Sequence, residues 1–180
     1  MSSDELSQDE IDQNIKNKEM LLEIFFNTKG SIDDINASID KKLFGKRIRS
    51  ITLFDKHIRA RLTFNFKVLN LAGQEITPVE AAYLSKYPGL ENVEKLDLRK
   101  NRLGDEGLEV LLNSEKMRNI RNLDLRNNQI TRKGMILLSE TKNLFNLEYL
   151  DLRVNKLGKK WEEKLKEKGK FPKLSELRIA

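Results

Sequence analysis

One phrase recurs three times in this chain and constrains everything else about it. VEKLDLRKNRL begins at Val93, IRNLDLRNNQI at Ile120 and LEYLDLRVNKL at Leu147, each copy 27 residues beyond the one before. A fixed period of that size specifies a solenoid, because one such unit cannot bury its apolar face except against the next. Within a copy the L-D-L run alternates as a short half-buried strand does, and an Asn stands three residues after the second Leu. A segment of 3.6-residue apolar period then returns the chain to the next strand. Parallel strands sit about 4.8 Å apart and packed helices about 8 to 10 Å, so the stack is expected to curve, with strands inside and helices outside. Leu96, Leu123 and Leu150 form one expected core column, Leu98, Leu125 and Leu152 a second, and Leu103, Ile130 and Leu157 a third. Asn101, Asn128 and Asn155 form a fourth, a buried amide column whose side chains can satisfy backbone groups in the bend.

The pattern L-x-x-L-D-L-x-x-N-x-L, with Val93 in the first Leu place, followed by G-D-E-G-L-x-x-L up to Leu111, resembles the leucine-rich repeat of ribonuclease-inhibitor type. The resemblance covers about residues 66–180. It implies an α/β fold: a short right-handed horseshoe of parallel inner strands and outer helices, whose concave strand face binds a protein. No single chemistry follows from it.

The copies at the two ends are less regular. FKVLNLAGQEI, from Phe66, is a degenerate first copy with Asn70 for the Asp, Ala72 for the Arg and Gln74 for the Asn. Thr77-Pro78 supplies a cap and a first helical residue for the helix that follows, and Pro88-Gly89 breaks it. Further helices are expected over about 105–116 and 131–141, with Gly107 and Gly134, one period apart, marking close helix-to-strand approach. Trp161 takes the Gly place in the next copy and is expected to seal the helix layer, the alternative being a partly exposed anchor. KLSELRIA reads as a last strand that is either an exposed edge or a contact with another chain. Before the repeats, apolar faces predict helices over about 7–28 and 31–45, and Ile48, Ile51, Phe54, Ile58 and Leu62 predict a third. Residues 1–62 are therefore expected to form an acidic N-terminal segment and helical cap, and residues 63–180 the repeats.

Charge and composition narrow the classes of function. Residues 1–40 hold ten acids and three lysines, net −7, which leaves +13 for the remainder of a chain of net +6. Much of that excess lies in 41–61 and in the lysines from Lys156 to Lys173. Solubility is the plainer reading of these clusters, and a nucleic-acid or anionic-membrane surface the alternative. Cysteine is absent, which fits a reducing compartment. The acidic, polar start lacks the pattern of a secretory signal, and no apolar run is long enough to span a bilayer. The expected location is the cytoplasm, with a secreted effector acting in a host cell as the alternative by analogy with other leucine-rich repeat proteins. His57, the single His, has no recognisable Cys, Ser or acid partner and reads as a helix-surface residue.

Residues two apart share a strand face, so three columns should point outward. They are Val68, Lys95, Asn122, Tyr149 and Glu176; then Asn70, Asp97, Asp124, Asp151 and Arg178; then Ala72, Arg99, Arg126, Arg153 and Ala180. The Asp and Arg columns are expected to neutralise one another, which argues against a metal at the aspartates. The candidate partner-binding residues are Lys95, Asp97, Arg99, Asn122, Asp124, Arg126, Tyr149, Asp151 and Arg153, with Tyr149 as the apolar anchor. No catalytic residue, metal or cofactor is expected, and the reading is a non-enzymatic module for protein binding.

Overall fold

The computed structural model of the chain describes residues 49–155, Leu157, Trp161, Leu165 and residues 171–179. The helices expected over 7–28 and 31–45, and the lysines from Lys156 to Lys170, lie outside these. The chain divides into two compact units, Met1–Thr52 and Leu53–Ala180, and the repeats belong to the second.

Helix α1 runs Arg49–Phe64 and is followed by β1, Val68–Asn70. Then come α2 (Pro78–Lys86), β2 (Lys95–Asp97), α3 (Gly104–Asn113), β3 (Asn122–Asp124), α4 (Arg132–Glu140), β4 (Tyr149–Asp151) and β5 (Glu176–Arg178). The five strands form one parallel sheet in chain order, each paired only with its sequence neighbours. Register is set by the repeat itself: Leu69 pairs with Leu96, Leu96 with Leu123, Leu123 with Leu150 and Leu150 with Leu177. This is an α/β leucine-rich-repeat solenoid.

The core follows the expected columns. Leu96, Leu98, Leu103, Leu123, Leu125, Ile130, Leu150 and Leu152 are buried, with Leu69, Leu71 and Ile76 from the degenerate copy. Each such side chain contributes about 1.5–3 kcal/mol by leaving water. Leu157 is only half-buried, and Phe66, aligned with buried Val93, is 59% exposed because no earlier repeat covers it. Trp161 is helical and half-buried, and Leu165 and Phe171 are buried beyond it.

Helix ends are secured in two ways. Thr77 caps α2 in a capping box with Glu80, as T-P-V-E permits, and Pro78 takes the first turn. For α4 the Thr131 hydroxyl oxygen accepts from the Lys133 N–H, and the previous repeat adds a second cap: Asp105 Oδ1 accepts from the backbone N–H groups of Thr131 at 2.9 Å and Gly134 at 3.0 Å, and its Oδ2 from the Thr131 hydroxyl. The tightness at Gly134 is therefore helix against helix, which corrects the expected helix-to-strand approach. A Cβ there would stand 2.5 Å from Asp105 Oδ1, and one at Gly107 would meet Leu103 and the Pro78 backbone at 3.3 Å. Helix α3 is also shorter than expected, giving way after Asn113 to a 3-10 turn over Glu115–Asn119. At the first repeat, α1 and α2 meet through Asp55, which accepts from the Tyr83 hydroxyl at 2.7 Å and Arg59 Nε at 2.6 Å, beside an edge-on contact of Phe54 with Tyr83.

Candidate functional site

The strand face is built by a turn that recurs after each of β1 to β4. In each copy the Asp two residues after the outward residue accepts, through Oδ1, the backbone N–H two positions on. Asp97 takes Arg99, Asp124 takes Arg126 and Asp151 takes Arg153, all at 3.1 Å, and Asn70 takes Ala72 in the same way. The Asp column thus first serves the backbone as a side-chain turn, a role the sequence reading missed although Asn70 at the same place was a signal for it. The next turn residue is left-handed throughout: Gly73, Lys100, Asn127 and Val154 have φ of 65°, 58°, 52° and 60°. That twist turns the following Asn inward. Nδ2 of Asn101 donates to the carbonyls of Leu71 and Leu98, while its Oδ1 accepts from the N–H groups of Gln74 and Ile76. Asn155 repeats the arrangement. Asn128 makes the donor half only. The turns before α2 and α4 have a second left-handed residue at Glu75 and Gln129, whereas the turn before α3 has it later, at Gly104, and the buried Asn128 Oδ1 has no hydrogen-bond partner.

The nine candidate residues occupy the expected columns, since Lys95, Asn122 and Tyr149 pair in register and Asp97, Asp124 and Asp151 pair beside them. The aspartates and arginines do meet. Arg99 Nε lies 3.2 Å from Asp97, Arg126 lies 2.6 Å from Asp124 and 3.4 Å from Asp151, and Arg153 lies 2.8 Å from Asp151. Asp151 differs from the expectation of an exposed face, because Arg126, Arg153 and the Tyr149 hydroxyl at 3.0 Å cover it to 0% exposure. Burial alone would raise this carboxyl, but the hydrogen bonds from Arg153 and Tyr149 outweigh it and hold the pKa below the usual carboxylate range. The Tyr149 phenol is raised by burial and then by its bond to Asp151. Its ring lies 5.6 Å beneath the Arg178 guanidinium, a cation–π contact from β5. Tyr149 is therefore half-buried and engaged at both ends, not a free anchor.

A second ordered surface borders the face where the chain enters the strands. Lys67, Glu94, Arg121 and Glu148, one period apart, alternate in sign and pair in sequence at 2.7, 3.8 and 2.7 Å. A shallow cleft of about 300 Å³ opens there, lined by Lys67, Glu94 and Arg121 with Asn92, Asn119 and Asn146. The alternation K, E, R, E was readable at the period and was missed. His57 is half-buried on α1, where its Nε2 accepts from Arg61 Nε at 2.8 Å; burial and that neighbouring charge both lower its pKa. Among the described residues no group of three or more His, Cys, Asp or Glu could hold a metal, and no helix is long and apolar enough to cross a membrane.

Comparison with known proteins agrees with this class of fold. The sequence model of the family described as Leucine Rich repeat matches residues 89–112 and 116–139. Among solved structures, "Leiomodin-1 Actin-Binding Site 2 (ABS2)" is similar at a TM-score of 0.52 and 19% identity, over 71% of this chain and 79% of that one. No curated protein matches the chain. The chain is thus similar to leucine-rich-repeat proteins in these two segments, and its fold is that of a leucine-rich-repeat solenoid.

Proposed function

We propose that this chain is a non-enzymatic protein-interaction module and that the strand face is its binding surface. The observation that carries the reading is preorganisation. Side chains at equivalent places stand in register on five strands, the turns beneath them are fixed by Asp and Asn side chains, and little ordering entropy is left to lose on binding. The polar groups of this face are arranged for recognition, with no nucleophile and base set side by side. The absence of cysteine supports a reducing compartment, the cytoplasm being our proposal. The rival reading, an anionic surface bound through the lysine-rich helices, rests on lysines that lie largely outside the described residues.

Site-specific photo-cross-linking tests the proposal. A benzophenone side chain placed at Asn122 on the strand face, and another at Ile136 on the exposed side of α4, sample the two sides of the solenoid. Adducts with a protein partner from position 122 and none from 136 are expected. The reverse distribution would move the site to the helices. Because that structural neighbour is an actin-binding site, purified actin is one protein to include in the same assay.

A further inference from the structure

The strand face divides into halves of different chemistry. From β3 to β5 its polar groups are consumed among themselves: Arg126 bridges two aspartates, Arg153 and Tyr149 converge on Asp151, and Arg178 lies over Tyr149 while donating to Glu176. From β1 to β3 they are not. Lys95 and Lys100 are exposed and, among the described residues, their side-chain amines make no hydrogen bond or ion pair. With Arg99 they face the carboxylate of Asp97, an excess of two positive charges on β2 and the turn after it, since nearby Glu94 is already taken by Lys67 and Arg121. Asn122 and Asn127 likewise keep their side-chain amides free among the described residues. On the other flank the outward residue of the edge strand is apolar: Val68, paired with Lys95, is 38% exposed. An exposed apolar side chain beside unpaired cations is the composition of a docking surface, where the apolar group supplies contact area and the cations the orientation.

We infer that the β1–β3 half of the strand face receives a segment of a protein partner that carries carboxylates against Lys95, Arg99 and Lys100 and an apolar side chain against Val68. This deepens the proposed function and rests on the strand face being the binding surface. Two excess charges are too few for a polyanion, which is held by on the order of six to ten contacts to phosphate. The free amides of Asn122 and Asn127 are suited to the peptide groups of an extended segment, since each offers both a donor and an acceptor.

The test is to pan a random peptide display library on the full chain and to measure the affinity of synthesised winners for variants. Winners should combine Asp or Glu with a large apolar residue. The double variant Lys95→Glu/Lys100→Glu should weaken them at least about tenfold, and Val154→Glu, on the other half, by no more than about twofold. Lys95→Gln/Lys100→Gln, which removes charge without reversing it, serves if the Glu pair fails to fold, and should weaken binding by about threefold or more. Winners sensitive to Val154→Glu but not to the lysines would overturn this inference and leave the strand face as the site. No winners, or winners indifferent to every change on the face, would overturn both. A single-stranded oligonucleotide that bound more tightly than any peptide, and was lost with the same lysines, would overturn the partner class.

Discussion

Asn101 and Asn128 are the same residue at the same place in successive repeats, and Asn128 is the more deeply buried, 0% against 4% exposed. Burial alone ranks Asn128→Ala as the costlier change, yet the hydrogen bonds rank the two the other way. Removing the Asn101 amide takes from Leu71 O its donor and from Ile76 N–H its acceptor, both in the core, whereas Leu98 O keeps the amide of Asn128. The orphaned Gln74 N–H belongs to an exposed residue and can turn to water. Removing the Asn128 amide orphans nothing: Leu98 O keeps Asn101, Leu125 O keeps Asn155, Arg126 O keeps the N–H of Lys100, and the lost Oδ1 had no partner. At about 2 kcal/mol for each buried group left unpaired, Asn101→Ala should destabilise by about 4 kcal/mol, and Asn128→Ala by only about 1 kcal/mol, for lost bonds and a small void. Asn155→Ala orphans three groups, Leu152 O and the N–H groups of Asn128 and Ile130, but at a half-buried site where water can replace part of the loss, so it should fall between them. Urea unfolding followed by far-ultraviolet circular dichroism gives the three values. An Asn128→Ala cost equal to or above that of Asn101→Ala would refute the reasoning, since the order would then follow burial and not partner accounting.

Val154 is a β-branched residue at φ 60° where Asn127 and Gly73 stand in other repeats, so Val154→Asn should stabilise by about 1 kcal/mol, read as a rise in the thermal midpoint. Gly134→Ala should destabilise by about 2 kcal/mol, because its Cβ would press on Asp105 Oδ1 and Ile130, and Gly107→Ala by distinctly less; urea midpoints compare them. Asp151 has a pKa below its unfolded value, so its contribution is complete above the usual carboxylate range and is lost as pH falls through the folded value. Melting curves from about pH 5 to about pH 2 should show that acid loss, and Asp151→Asn should flatten this part of it while lowering stability at neutral pH.

The repeats were legible because their period is set by apolar residues, and apolar columns at a fixed spacing have one way to be buried together. Register, strand order and the outward columns follow from that alone. Apart from the Asp side-chain turn, which lies within one repeat, the missed features join two repeats through polar side chains whose meeting depends on how the repeats stack. Asp105 reaches forward to cap α4 from a place filled by Pro78 and Arg132 in neighbouring copies, so no column announces it. The locking of Tyr149 needs Arg178 from β5, where the column changes from Asp to Arg. Asn128 loses its acceptor role because N-R-L-G replaces N-Q-I-T in the preceding turn, a departure visible in the sequence whose consequence lies one repeat away.

The alternating row Lys67, Glu94, Arg121, Glu148 gives the stack a parity. Excising one period, residues 94–120, would set Lys67 beside Arg121, like against like at the cut, while Arg121 and Glu148 beyond it stay matched. Excising two, residues 94–147, would set Lys67 beside Glu148 and restore a match. The Leu columns accept either deletion equally, since every copy offers the same apolar face. The row of charges therefore counts repeats by twos where the core cannot count at all, and a chain of this kind should gain or lose copies more readily in pairs than singly.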